Sequence, residues 1–208
     1  MTERSSARAA MAERILATTD RLFYGQGIRA IGVDTIAAEI GISKRTLYNY
    51  FPSKDALIAA YLARRLQPFK PRRPSELPPG EQILADFDRL ERVCGSDEFR
   101  GCPFVNAVAE LGEKKHPANK IAVEFKEQRR LWFRDLLVRA GIADPDALST
   151  QLLLLVDGAV AGALVRGDPA MARAAREAAR VLLAAAGVPV PAPTRAPGAR
   201  RDAGRKAS

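Results

Sequence analysis

Between Ser43 and Phe51 the chain carries Lys44, Arg45, Thr46, Tyr48 and Asn49 with no acid among them. If the stretch is helical, Leu47 and Tyr50, three apart, form one face and leave the five polar side chains on the others. Such a set offers charge to phosphates, and guanidinium, amide and hydroxyl groups to base edges. That is the chemistry of a helix lying in a DNA major groove. Lys44, Arg45, Thr46 and Asn49 are the candidate base readers, and Thr35, Tyr48, Tyr50 and Lys54 the candidate phosphate holders.

A reading helix needs neighbours that fix its angle, and the preceding residues supply them. Ile36, Ala37 and Ile40 form an apolar stripe, in which the small Ala37 permits a close helix crossing. Gly41 suits the left-handed position after a helix end, Ile42 can enter the core, and Ser43 is a good N-cap for the next helix. The spacing predicts a helix-turn-helix over 32–51. Asp34 and Thr35 fall in the first turn of its first helix, where free N–H groups favour a phosphate, although Thr35 could equally cap its own helix. Phe51-Pro52 closes the reader and Ser53 caps a fourth helix. Lys54, at that helix's positive end, is easier to understand beside an anion.

From Ile15 to Leu62 these residues also resemble the DNA-binding domain of TetR-type (tetracycline-repressor-like) regulators. The likeness lies in Ile36-Ala37, Gly41-Ile42-Ser43, Thr46-Leu47-Tyr48 and the run Phe51 to Leu57, which includes a Ser53-Lys54 pair like the family's. In that family a threonine at the place of Thr35 often contacts the DNA backbone. The resemblance implies an all-α homodimer that binds a palindromic operator and leaves it when a small effector enters the C-terminal domain. Gly101 to Ala107 resembles, less specifically, the start of the ligand domain in one TetR subgroup.

Charge is distributed as this organisation requires. The net charge is +9 and the pI about 10.0, but residues 1–67 hold 10 Lys/Arg against 6 Asp/Glu, residues 68–186 hold 18 against 17, and residues 187–208 hold 5 against 1. The basic character belongs to the reader end and the tail. Helix 1 should run to about Tyr24, with Met11, Ile15, Leu22 and Phe23 in its core stripe; Arg4 and Arg8 either reach DNA backbone or, as is commoner, belong to a disordered basic terminus. Ala56, Leu57, Ala60 and Tyr61 form the predicted buried stripe of helix 4. The prolines at 68, 71, 74, 78 and 79 break the chain into domains. The expected organisation is all-α: a three-helix DNA-binding domain over 8–67, a helical ligand-binding and dimerisation domain over 81–186, and a disordered basic tail over 187–208.

In the second domain Ile83, Leu84, Phe87 and Leu90 mark one helix, and His116-Pro117 opens a long one with Ile121, Phe125, Trp132 and Leu136 on its apolar face and Lys126, Arg129, Arg130 and Arg134 largely elsewhere. The helix through Leu152–Val165 is apolar on nearly every side apart from Asp157. The last helix sets Met171, Ala174, Ala175, Ala178, Leu182 and Ala185 on one face. Two copies packed as a four-helix bundle would bury both, whereas an intrachain hairpin explains the spacing alone. Phe87, Cys102, Phe104, Phe125, Trp132 and Asp157 are candidates to line an effector pocket, and core packing accounts equally well for the apolar ones.

Catalysis is not indicated. His116 is the only histidine, Cys94 and Cys102 the only cysteines, and neither a nucleophilic pair with an orienting group nor zinc-ligand spacing is present; no cofactor or metal is called for. Two cysteines and no signal segment argue for a cytoplasmic setting, and Leu152–Val165 is shorter than the roughly 20 residues a membrane span needs. The alternatives are a sequence-indifferent basic DNA-binding protein, for which the tail and charge would suffice, and a thiol redox sensor using Cys94 or Cys102. The sequence leaves activation open beside repression.

Overall fold

Glycine and proline set most of the helix ends. The computed structural model describes residues 3–66, 76–112 and 115–192, and all regular structure among them is helical. The helices are α1 (Glu3–Gln26), α2 (Val33–Ile40), α3 (Lys44–Tyr50), α4 (Lys54–Arg65), α5 (Pro79–Cys94), α6 (Pro103–Leu111), α7 (Pro117–Arg139), α8 (Pro145–Arg166) and α9 (Ala170–Ala185). α5 to α8 each carry proline in the first turn, where a missing N–H costs little. His116 caps α7 with its ring, Nδ1 accepting from Ala118 N at 3.0 Å. Pro68, Pro71 and Pro74 of the predicted break, and residues 193–208 of the tail, lie outside the described residues.

The apolar faces close into two cores. The first joins Ile15, Leu22 and Phe23 of α1 with Ile36, Ala37 and Ile40 of α2, Leu47 of α3 and the inner face of α4, and continues into Phe104 and Ala107 of α6 and Ala118 and Ala122 of α7. The second joins α5, the later half of α7, α8 and α9 around Phe87, Phe133, Leu137, Leu152 and Leu183. α7 therefore belongs to both, and α6 is built into the core that carries the reader.

Several faces differ from expectation for identifiable reasons. α4 buries Leu57, Ile58, Tyr61 and Leu62, with Ala56 and Ala60 half-buried, because it packs on α1 and on α7 at once. α9 buries Ala172, Ala175, Ala179 and Leu183, a stripe displaced from the predicted one, so Ala174 and Ala185 stand in solvent. Arg129, read as outward, is buried against Asp86 of α5, where the pair satisfies both charges. Within one chain α8 is not buried all round: Leu154 is 65% and Val165 85% exposed. At 22 residues it is also long and apolar enough to cross a membrane by composition, beyond the shorter run counted from sequence, yet one side is packed on α7 and α9.

The residues after α9 also depart from the disordered tail predicted from 187. Val188 is buried in the second core, and the segment crosses the start of α5 at Gly80, where an added Cβ would stand 2.4 Å from Pro189 O. Gly80→Ala should therefore destabilise the protein, by about 1–3 kcal/mol as overpacking does, although Gly to Ala inside a helix ordinarily stabilises by about 1 kcal/mol. A urea melt showing the variant more stable than the parent would mean that the segment does not seat there.

Candidate nucleic-acid interface

The reader is held by local chemistry that the sequence states openly. Gly41 adopts φ +78°, and its N–H and that of Ile42 return to the Ala37 carbonyl at 3.0 Å. That left-handed turn would strain any residue with a Cβ. Ser43 Oγ accepts from Thr46 N at 3.0 Å, capping α3, and Leu47 is fully buried beneath it. Arg14 of α1 donates to Ile40 O at 2.7 Å, satisfying a carbonyl at the end of α2. Arg8 does the same for α3, donating to Asn49 O at 3.0 Å with its guanidinium 4.9 Å from the Tyr50 ring centre. Arg8 thus braces the reader helix from an exposed position on α1.

The eight candidate contact residues fall into two groups. Arg45, Tyr48 and Asn49 are exposed on α3 and Thr35 is exposed on α2, and none has a side-chain hydrogen bond among the described residues. The other four are engaged. Lys44 donates to Asp34 Oδ2 at 2.9 Å, and that hydrogen bond, with the carboxylate's charge, raises its pKa. Thr46 Oγ1 lies 2.8 Å from Ser43 Oγ. Tyr50 is half-buried under Arg8. Lys54 donates to Ile28 O at 2.7 Å, so a backbone carbonyl satisfies the cation where sequence suggested a phosphate. Among the described acids Asp34 alone pairs with the reader, and it is 72% exposed, so water and salt weaken the pair.

The segment leading into α2 is fastened to the rest of the molecule from two sides. Lys54 of α4 holds Ile28 O, while Glu110 of α6 accepts from Arg29 N at 2.9 Å and Arg29 reaches Leu111 O at 3.4 Å. Nearby, Tyr24 donates to Gly101 O at 3.0 Å and accepts from Arg100 N at 2.9 Å. Arg65 binds Asp20 through two nitrogens and lies 4.3 Å from the Tyr24 ring centre. His116 Nε2 faces Asp55 of α4 at 3.5 Å. Sequence reasoning missed Arg14, Arg29, Asp34 as a partner, and Glu110, since each acts on a residue distant in the chain.

A cavity of about 810 Å³ opens between α6, α7 and α8. Of the predicted lining, Phe104 is on its wall and Phe125 stacks behind Phe104 with ring centres 4.0 Å apart. Asp157 reaches the cavity by binding Lys126, which lines it. Cys102 is half-buried at the start of α6 and packs on the first core. Phe87 and Trp132 are elsewhere, both against Phe133 in the second core, because the interior between α5, α7 and α8 consumes them. Val105, Val108, Ala109, Val123 and Leu153 complete much of the wall. Burial raises the pKa of Cys94 and keeps its thiol protonated, which disfavours it as a redox nucleophile. Among the described residues no cluster of His, Cys, Asp or Glu is arranged to hold a metal.

A family model described as bacterial regulatory proteins, tetR family, matches residues 15–61. The crystal structure of a TetR-type transcriptional regulator from Streptomyces avermitilis is 35% identical, with the alignment covering 85% of this chain and 98% of that one at a TM-score of 0.77. A TetR-family regulator from Streptomyces coelicolor is 32% identical over 84% of this chain and 94% of its own, with a TM-score of 0.76. Among curated proteins, the HTH-type transcriptional regulator YjdC of Escherichia coli is 23% identical over 76% of this chain and 85% of its own length. The HTH-type transcriptional repressor NemR of Escherichia coli is 30% identical over 48% of this chain and 53% of its own.

Asp34→Asn releases Lys44 and removes an acid beside the reader. Affinity for an arbitrary duplex should rise, because Lys44 no longer has to leave a carboxylate to reach a phosphate, whereas Lys44→Ala should lower it and flatten the plot of log K against log salt by about one unit. An unchanged slope in a fluorescence-anisotropy salt titration would place Lys44 away from DNA.

Proposed function

The chain belongs to the TetR family of bacterial regulatory proteins, and from that premise we propose that this DNA-binding transcriptional regulator is a homodimeric repressor released from a palindromic operator by a small effector. The observation that carries the reading is the capped, buried-backed α3, which presents the Arg45, Tyr48 and Asn49 side chains outward with no side-chain hydrogen bond among the described residues. In this reading residues 8–67 form the DNA-binding domain and 81–186 the ligand-binding and dimerisation domain of a protein acting in the bacterial cytoplasm.

Arg45 and Asn49 read base edges, since a guanidinium suits guanine and a carboxamide adenine. Thr35 and Tyr48 hold phosphates. Lys44 joins them by exchanging Asp34 for DNA, while Thr46, Tyr50 and Lys54 chiefly position the reader. Two readers related by a two-fold axis would enter half-sites about 34 Å apart, or a multiple of it. The alternatives lose ground for separate reasons. A sequence-indifferent binder has no need of a braced reader, and a thiol sensor finds Cys94 buried.

The effector cavity gains support from its place in the fold. α6 supplies one wall through Phe104, Val105 and Val108, and its last turn carries Glu110 and Leu111, which grip Arg29 just before α2. A ligand that fits the cavity better in one position of α6 would also favour one position of α2 and α3. It releases DNA only to the extent of that difference, because a ligand with equal affinity for both geometries shifts neither.

Dimerisation has support in the exposed stripe Leu154, Gly158, Ala161 and Val165 of α8, beside exposed Val181 on α9. Small residues at its centre allow close helix approach. Light scattering of the full chain should give a dimer, and Ala161→Arg should give a folded monomer with operator affinity lowered at least 100-fold, since two linked readers become one. A monomeric parent protein, or an unaltered dimer in the variant, would contradict this interface.

A further inference from the structure

The cavity between α6, α7 and α8 falls within the roughly 300–1,000 Å³ range of small-molecule sites. Most of its wall is apolar, with Phe104, Val105 and Val108 from α6, Val123 from α7 and Leu153 from α8. Two charged residues, Lys126 and Glu127, also line it, and both are already matched. Lys126 Nζ is bound by the Asp157 carboxylate of α8. Glu127 accepts from Arg130 Nε at 2.9 Å and Nη2 at 2.6 Å, a contact that holds its carboxyl below the usual range. Arg130 in turn also binds Asp146 at 2.8 Å. An ion entering this space would leave water and meet no unmatched counter-charge, whereas a neutral apolar molecule would lose little and gain the wall.

We propose that the cavity takes a neutral, predominantly apolar molecule and discriminates against anions, because Asp157 occupies the cation that an anionic ligand would need. The proposal rests on the cavity being the effector site and names the class of effector. Asp157 is the specificity-determining residue: it does not form the wall itself but sets the charge that the wall presents. Removing its charge while keeping its shape would leave Lys126 unmatched and turn the same cavity toward anions.

The test uses two fluorescent probes on one aromatic frame, neutral N-phenyl-1-naphthylamine and its anionic sulfonate 1-anilinonaphthalene-8-sulfonate, with the purified full chain. The neutral probe should saturate with a blue-shifted, enhanced emission and bind at least tenfold more tightly than the sulfonate. Val108→Trp, which sets an indole across the apolar wall from a partly exposed position, should weaken the neutral probe at least tenfold without changing the circular dichroism or the oligomeric state. Asp157→Asn should strengthen sulfonate binding until the two probes are nearly equal. Equal or tighter sulfonate binding to the parent protein, weakened in Val108→Trp, would overturn the charge class while leaving the effector cavity in place. Failure of the neutral probe to saturate would overturn the proposal outright, and so would a change of oligomeric state in Val108→Trp, which would make the wall a subunit interface. If the neutral probe binds as described and Val108→Trp, though it weakens probe binding, leaves both DNA affinity and its response to cell-derived small molecules unchanged, the ligand class stands and the effector reading fails.

Discussion

The backbone from Gly27 to Gly32 has no helix of its own, yet it aims the reader. Its polar groups must find partners elsewhere, because a buried carbonyl or N–H left unpaired is costly. Lys54 of α4 takes the Ile28 carbonyl, and Glu110 of α6 takes the Arg29 N–H. Ile28 and Ile31 are buried between these fastenings, so the segment has few ways to shift alone. The entry of α2, and through Gly41 the angle of α3, is therefore set partly by α4 and α6. This constraint joins the cavity to the reader: α6 has one side in the cavity wall and its last turn on Arg29.

Charge in the first domain is more committed than its surplus suggests. Arg8 and Arg14 satisfy helix-end carbonyls, Lys54 satisfies a loop carbonyl, and Arg21, Arg64 and Arg65 pair with Glu39, Glu13 and Asp20. Lys44 pairs with Asp34. Arg45 is left as the unpaired cation on the described part of the reader. The fixed angle of α3 and the polar side chains on its outer face then carry more of the discrimination.

What was legible in the sequence is what neighbouring residues decide among themselves. The Gly41 turn, the Ser43 and Ser53 caps, the start of α7 at Pro117 and the inward Leu47 follow from local geometry, and the structure realises each. Partners distant in sequence left no such trace. Arg8 acts 41 residues away and Arg29 meets Glu110 from 81 away, with no periodicity to announce either. Arg129 looked outward because a charge is normally solvated, until Asp86, 43 residues away, made its burial tolerable. α9 was misphased because alanine occurs on every side of it, so the pattern distinguishes its faces only weakly. Phe87 and Trp132 could not be told from pocket residues, since a core and an apolar cavity select the same side chains.

The central claim is that a braced, outward-facing α3 reads a defined sequence as one of a symmetric pair. Selection of bound sites from a random duplex pool at about 0.15 M salt, where nonspecific contacts are much weakened, tests it most directly. Enrichment of one two-fold symmetric site is expected, with half-sites centred about one helical turn, or a multiple of it, apart. Retention of DNA with no sequence enriched would contradict it and assign the binding to charge alone.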